Sequence, residues 1–388
     1  MPLSHLEQIS EPCRRLIGLM QTSLEKKPQP HFHPASFVAN ENGDQALTAL
    51  AIQHGVLPWL VRHMPAIGAY LSPETAAHWQ NLDAQNRFRS FLNSSWTIRL
   101  VIVLQKAGIP CLPIKGISAA IRHYGGIDGR ACGDLDIMVP AEHVPEACSI
   151  LASLGMKPKF PSRPLNSAEA RWVSRSMHHY TFIEPGTGLM IELHWALHDN
   201  SLLDHQDREW PRLASEKIVI DGFEIPALDR PRDYLLLLSH AARSGWAKMK
   251  WLLDLQQAWS TLSISDREEV EARIKEFRLQ PAQKMFLSLA NFLFGAEPLD
   301  PDRDAPPQTL LMFDSSSRNS LGRKYRHVKN IFIIRDGATY RWSTVRLYLR
   351  SWSDMHLLNL PSWAFALYVP LRGPLLVYRS LKGMHRDA

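Results

Sequence analysis

Asp134 and Asp136 stand two residues apart in Gly133-Asp134-Leu135-Asp136-Ile137-Met138-Val139. Residues two apart on an extended strand project to one face. The two carboxylates therefore point together while Leu135 and Ile137 face a core. Side by side, carboxylates raise each other's pKa unless a cation neutralises them. A hard divalent ion, Mg²⁺ or Mn²⁺, takes carboxylate oxygens and removes the repulsion. Taken alone, Asp-x-Asp describes equally well two aspartates decorating an exposed strand start.

Glu192 adds a third carboxylate, flanked by apolar residues in Met190-Ile191-Glu192-Leu193-His194-Trp195. A charge inside such a strand is costly to bury unless it is paired or metal-bound. If a neighbouring strand brings Glu192 beside the aspartates, three carboxylates can hold two metal ions. Such a pair activates an attacking oxygen and stabilises a leaving one.

Leu112-Pro113-Ile114-Lys115-Gly116-Ile117-Ser118 suits phosphate. Gly116 permits close backbone approach, the helix start that follows offers free N–H groups, and Lys115 adds charge. Without the carboxylates downstream the same residues read as an ordinary strand–helix turn. Arg130 offers a planar fork to phosphate, or serves as structural partner of an acidic loop. His194 shares a strand face with Glu192, where it can touch substrate or metal or be a satisfied structural histidine.

The elements that must position these groups are readable. Residues 1–100 repeat apolar side chains at helical spacing (Leu6, Ile9, Leu16, Ile17, Met20; Leu47, Leu50, Ala51). Ser72-Pro73 opens one long helix or two reaching Leu104. Ile109–Ile114 is a short strand between breakers and Ile117–Tyr124 a helix. Leu135–Val139 is a strand and Ala141–Leu154 a helix. Tyr180–Ile183 and Leu189–His194 form a hairpin around Pro185-Gly186-Thr187-Gly188. Helical spacing returns from Arg232, with helices over Tyr234–Ala241, Trp246–Trp259 and Asp266–Phe294. Pro298–Pro307 is a linker. The fold class expected is α+β, a small mixed sheet between helical regions. Boundaries fall at 1–104 (helical), 105–228 (core), 229–298 (helical) and 299–388 (linker and basic aromatic segment).

The pieces Ile114-Lys115-Gly116, Tyr124, Arg130, Gly133–Val139 and Ile191–Trp195 together resemble the uncharacterised nucleotidyltransferase family of the DNA polymerase β-like superfamily. The likeness extends through Leu237–Ala241 and Met249–Leu255 and covers roughly residues 30–295. It implies a small mixed sheet and a two-metal site formed by Asp134, Asp136 and Glu192. The reaction it implies moves a nucleoside monophosphate from an NTP to an acceptor. The superfamily's Gly-Ser at the first turn is here Lys115-Gly116, and Ser118 is the candidate for the missing hydroxyl. The resemblance also lays the segment carrying Lys248 and Lys250 against the nucleotide cleft, where one can hold phosphate. The alternative is a solvated helix face.

Two rival functions belong to other classes. Asp-x-Asp glycosyltransferases bind a metal and a nucleotide-sugar, but a longer α/β half normally precedes their motif. A non-catalytic nucleotide-binding or regulatory module would not need all three carboxylates. His194 and His198 do not read as a zinc pair, because the Glu of His-Glu-x-x-His is missing. His31-Phe32-His33 and His178-His179 read as loop histidines without partners.

From Arg303 onward 14 Lys/Arg stand against five Asp/Glu, whereas the preceding residues carry 30 against 33. The chain's net +6 therefore resides in its last segment, which points to an anionic partner or membrane surface there, or to a solvated basic face. Residues 357–378 are apolar and aromatic but interrupted by Pro361, Pro370, Arg372 and Pro374. They make a poor transmembrane helix, and packing on the protein itself or on a partner is preferred over lying at a membrane interface. Four scattered cysteines without a CxxC pair, and an N-terminus without an apolar signal core, lead us to expect a cytoplasmic protein.

Overall fold

The computed structural model describes residues 9–26, 32–37, 41–162, 165–174, 177–198, 200, 202–203, 214–294, 331–332, 334–350 and 352–381. The expected Pro298–Pro307 linker, His31 and the basic run between Arg318 and Lys329 lie outside these residues. The four cysteines are free, three of them buried.

The N-terminal helices α1 (Glu11–Ser23), α2 (Glu41–Gln53) and α3 (Leu57–Arg62) precede a single 34-residue helix, α4 (Pro73–Lys106). The Ser72 side chain accepts from the Thr75 amide at 3.1 Å and Pro73 occupies the first turn. Together they satisfy an orphan donor and preset the backbone.

The chain then builds a five-stranded mixed sheet in the order β1-β2-β5-β4-β3. Its strands are β1 (Leu112–Pro113), β2 (Asp134–Met138), β3 (Lys157–Phe160), β4 (His179–Ile183) and β5 (Met190–His194). Only β2 and β5 run parallel; the other neighbours are antiparallel. The strand expected over Ile109–Ile114 shrinks to two residues, since Pro110 and Pro113 cannot donate to a ladder. The hairpin closes as expected, with Glu184 and Leu189 bonded across the turn at 2.9 Å. The helix expected over Ala141–Leu154 starts as a 3₁₀ turn, and its α-helical part, α6, is Val144–Ser153.

One sheet face carries Leu135, Ile137, Ile191 and Leu193 into a core shared with Leu100, Val101 and Leu104 of α4, and with Ile117 and Ala120 of α5 (Gly116–Tyr124). The opposite face carries Asp134, Asp136, Glu192 and His194. A second hairpin, β6 (Glu216–Ile220) and β7 (Phe223–Ala227), turns at Asp221-Gly222, both at positive φ.

Helices α8 (Arg230–Arg243), α9 (Met249–Thr261), α10 (Ile264–Glu276) and α11 (Gln280–Phe294) share one core with α1–α3. The single helix expected over Asp266–Phe294 is two. The break lies at Arg278, whose φ of +56° cannot continue a helix. Trp246, at φ +59°, likewise stands outside α9, so Lys248 is its N-cap residue and not part of the helix.

The C-terminal helices α12 (Ala338–Tyr348), α13 (Trp352–Leu357) and α14 (Tyr368–Leu381) pack on the protein itself, one of the arrangements the sequence left open. Met355, Phe365 and Tyr368 join Val173 of α7 (Ser167–Val173) in a small core that also takes Phe160 and Tyr180. This layer meets the sheet at Phe160, the last residue of β3, and at Tyr180 of β4, while Lys157, Pro158 and Lys159 stay exposed. Among the described residues, no helix is long and apolar enough to cross a membrane.

Candidate active site

Parallel pairing of β2 and β5 places Asp136 opposite Glu192, and Asp134 opposite Met190. Strand alternation then turns all three carboxylates to the face away from the α4 core. Oxygens of Asp136 and Glu192 and a ring nitrogen of His194 all lie within 4.8 Å of one another, a spacing that can hold a metal ion. Asp134 lies outside that triplet, one step along the strand toward the cleft.

Asp136 is buried, at 5% exposure, and its charge is answered from two sides. Lys115 Nζ lies 3.0 Å from its Oδ1, and His194 Nε2 lies 2.9 Å from the same oxygen. Burial pushes the Asp136 carboxyl up, but Lys115 and the His194 contact outweigh it and hold it well below the usual carboxylate range. Asp134 moves the other way: the neighbouring Asp136 charge, then burial, raise its pKa. Lys115 is opposed by burial yet raised overall by Asp136 and Glu192.

His194 also meets Glu192, with Nε2 3.2 Å from Oε2. Burial and Lys115 disfavour its protonation, but the two carboxylate contacts prevail and raise its pKa.

The Lys115-Gly116 turn is shaped for close approach. Lys115 sits at φ +52° and Gly116 at φ +26°, a conformation a side chain at 116 would strain. A Cβ added at Gly116 would come within 3.4 Å of the Asp134 carbonyl and 4.0 Å of Asp136 Oδ2. Glycine thus keeps the α5 N-terminus open toward the carboxylates.

A cavity of about 240 Å³ lies over this face. Lys115, Gly116, Gly133, Asp134 and Asp136 line its sheet side. Leu237 and His240 of α8 form part of the other wall, with Lys248, Lys250, Trp251 and Asp254 at and on α9. Lys248 is exposed and sits 5.8 Å above the Trp251 ring, which also packs edge-on against His240 at 5.4 Å. Lys250 is half-buried and donates to the Ala131 carbonyl at 3.1 Å. Burial, and then the nearby Arg130, lower its pKa.

The structure thus gathers Lys115, Gly116, Arg130, Asp134, Asp136, Lys248 and Lys250 around one cavity, with Glu192 and His194 beside Asp136. Ser118 is not in this group: it is buried on α5 and does not line the cavity. Arg130 lines the cavity, but Asp254 grips its fork, with Nε–Oδ1 at 2.8 Å and Nη2–Oδ2 at 2.9 Å. Its Nη1 donates to the Gly116 carbonyl at 3.1 Å. Of the two sequence readings, this geometry matches the structural partner, although the acidic group is on a helix.

Residues 178 and 179 require a correction. His179 is not in a loop but opens β4, directly opposite His194 on β5. His178, His179 and His194 bring ring nitrogens within 4.8 Å of one another. His198 bonds the Ser239 hydroxyl at 2.7 Å.

The sequence reading also passed over Asp254, His240, Trp251 and Gly133. Only Asp254 carried a usable signal: a carboxylate within the apolar run Met249–Leu255, the feature that had marked Glu192.

The family model described as uncharacterised nucleotidyltransferase matches residues 40–295. The chain belongs to that family. The match takes in the whole cavity, from Lys115 to Asp254, and ends before the C-terminal layer. The chain is also similar to the solution structure of the antibiotic-resistance factor ANT(2'')-Ia, at 15% identity. That alignment covers 49% of this chain and 93% of the other, with a TM-score of 0.33. No curated protein matches the sequence.

Proposed function

We propose that this nucleotidyltransferase family member is a metal-dependent enzyme that moves a nucleoside monophosphate from an NTP to an acceptor oxygen. The observation that carries this reading is Asp134 and Asp136 lining a cavity whose other wall holds Lys248 and Lys250, with Glu192 set beside Asp136 by the strand register. Anionic oxygens beside a lysine-lined space suit a metal-bound triphosphate. The donor set fits Mg²⁺ or Mn²⁺: hard carboxylate oxygens gathered on one face, more negative charge than Lys115 alone offsets.

Asp134, Asp136 and Glu192 would hold the metal, which supplies charge neutralisation at the phosphates when bound. Gly116 lets the α5 N-terminus approach the triphosphate, while Lys115, Lys250 and Lys248 balance its charge. Trp251 and His240 form the wall available to the rest of the nucleotide. The acceptor oxygen attacks the α-phosphorus, the bond to the β-phosphate bridging oxygen breaks, and pyrophosphate leaves. Half-buried Glu192 takes the acceptor's proton and passes it to solvent. Arg130 acts through the turn it braces.

Family membership sides with nucleotidyl transfer over the nucleotide-sugar reading. The test is incubation of purified protein with each α-labelled NTP and Mg²⁺, with and without cell extract. Pyrophosphate release and label on an acceptor are expected, both abolished by Asp136→Asn. Nucleotide binding without turnover under every NTP and extract would favour the regulatory module instead.

A further inference from the structure

The histidines at the start of β4 are unused by the chemistry above, yet they are arranged with unusual economy. His178 and His179 are adjacent in sequence, and the β4–β5 ladder sets His179 against His194. His179 Nδ1 lies 3.4 Å from His178 Nε2. That equals the ligand–ligand edge of a tetrahedral zinc site, about 3.4 Å for Zn–N bonds of about 2.1 Å.

The opposite edge of His194 is held by carboxylates, and that of His179 faces one. His179 Nε2 faces Glu192 Oε1 at 3.7 Å, and His194 Nε2 faces Asp136 and Glu192. A metal-bound histidine nearly always presents its second nitrogen to a carboxylate or carbonyl, which fixes the ring and its tautomer. His194 completes the pattern. Its side chain is fully buried, and among the described residues its Nδ1 has no hydrogen-bond partner. Such a nitrogen is costly to leave unsatisfied.

The geometry points to a second metal site of a different character: His178, His179 and His194 form a three-imidazole site for a borderline transition ion of the Zn²⁺ class. Imidazole nitrogens select such ions over Mg²⁺, which prefers oxygen. The nitrogens, all within 4.8 Å of one another, close on the ion by small ring rotations. His178 and His179 are only half-buried, so the ion can enter from solvent. Because His194 touches Asp136 and Glu192, an ion there reaches the carboxylate site through one side chain. The site stands on its own ligands and does not depend on the transfer reaction.

Co²⁺ is the probe, since its visible d–d bands report nitrogen ligation. Metal-free full-length protein is titrated with Co²⁺ in the presence of excess Mg²⁺. One equivalent should give tetrahedral-type bands that Zn²⁺ bleaches. The bands should persist in Asp134→Asn and disappear in the double variant His178→Gln/His179→Gln. A wild-type titration without these bands, or bands retained by the double variant, would overturn the site. Should the double variant not fold, the wild-type chain still decides. Zn²⁺ should shield His178 and His179 from diethylpyrocarbonate, read by peptide mass spectrometry, while Mg²⁺ does not. Equal modification of both residues with and without Zn²⁺ would also overturn it.

Discussion

Arg130 and Asp254 meet as a buried two-toothed fork, at 2.8 and 2.9 Å, with the Tyr124 hydroxyl donating to the same carboxylate at 2.7 Å. The remaining guanidinium nitrogen reaches back to the Gly116 carbonyl. One ion pair thus ties α9, which carries Lys250 and Trp251, to the turn beneath the cavity. Removing either partner strands a buried charge, which costs about 3–5 kcal/mol. Asp254→Asn should therefore lower the melting temperature substantially, and Arg130→Lys should do so to a lesser degree, since one point charge cannot reproduce the fork. If Arg130→Lys kept full stability and lost only nucleotide affinity, a direct phosphate contact would replace the bracing role.

The two aspartates should separate when function and stability are measured together. Asp134→Asn and Asp136→Asn should each lower transfer at least about a hundredfold, ~2.7 kcal/mol of transition-state stabilisation. Their melting temperatures should move oppositely in metal-free protein. Asp134 is held in a repulsive field from Asp136, so its neutralisation relieves strain. Asp136 answers Lys115 and His194, so its neutralisation leaves Lys115 poorly compensated. Differential scanning calorimetry in EDTA reads both signs.

The two cavity lysines differ in setting, and their alanine variants should differ in kind. Lys250 is half-buried beside Asp134 and Arg130, whereas Lys248 is exposed. Charge contacts are screened less when buried. Lys250→Ala should raise the NTP KM about tenfold, ~1.4 kcal/mol, with a weak salt dependence. Lys248→Ala should raise it about twofold to threefold, an effect that fades with added salt. Steady-state kinetics at two ionic strengths distinguishes them.

Acid should destabilise the chain through Asp233 and Asp254. Burial raises both carboxyls, but the His123 bond to Asp233 at 2.8 Å, and Arg130 on Asp254, outweigh it and lower them. A depressed folded-state pKa means the unfolded chain binds more protons. The stabilisation is thus complete above the ordinary Asp value of about 3.9 and is lost as pH falls through the lowered values. Melts from pH 7 down to pH 3 should show a decline setting in near pH 4. Asp254→Asn should start lower at pH 7 and decline less steeply.

The carboxylates were legible because two simple patterns mark them: period-two spacing for Asp134 and Asp136, and a charge inside an apolar strand for Glu192. The parallel pairing that sets Asp136 beside Glu192 was not, since 55 residues intervene between the two positions and local periodicity carries no register. For the same reason His178 and His179 looked partnerless: only the ladder to β5 supplies His194. The β6–β7 hairpin did carry a signal, Asp221-Gly222 between apolar-alternating runs, that went unread. The break at Arg278 also carried one, Pro281 in the first turn of α11, although the positive φ of Arg278 itself is dictated by packing and not by its own propensity.

The basic C-terminal layer divides into internal and outward-facing arginines, and the two groups should respond differently to substitution. Arg372 and Arg379 both grip the fully buried Asp354, at 2.8 and 3.0 Å. Part of the segment's positive charge is therefore neutralised within the fold, and Arg350 lies 5.3 Å from the Trp172 ring of α7. Arg341 and Arg346 are exposed on α12, with Arg346 stacked 5.6 Å from the exposed Trp342. An exposed basic-aromatic pair attracts anions over about 8 Å at physiological ionic strength. Arg341→Gln/Arg346→Gln should leave stability within about 0.5 kcal/mol and NTP turnover unchanged, while lowering the salt at which the protein leaves a polyanion column. Arg372→Gln/Arg379→Gln, which removes both partners, should instead cost about 3–5 kcal/mol by stranding Asp354 and loosen α14 from α13, seen as new protease sensitivity in the last residues. Elution of the Arg341→Gln/Arg346→Gln variant at the wild-type salt concentration would show that α12 presents no anion-binding surface and that the segment serves packing alone.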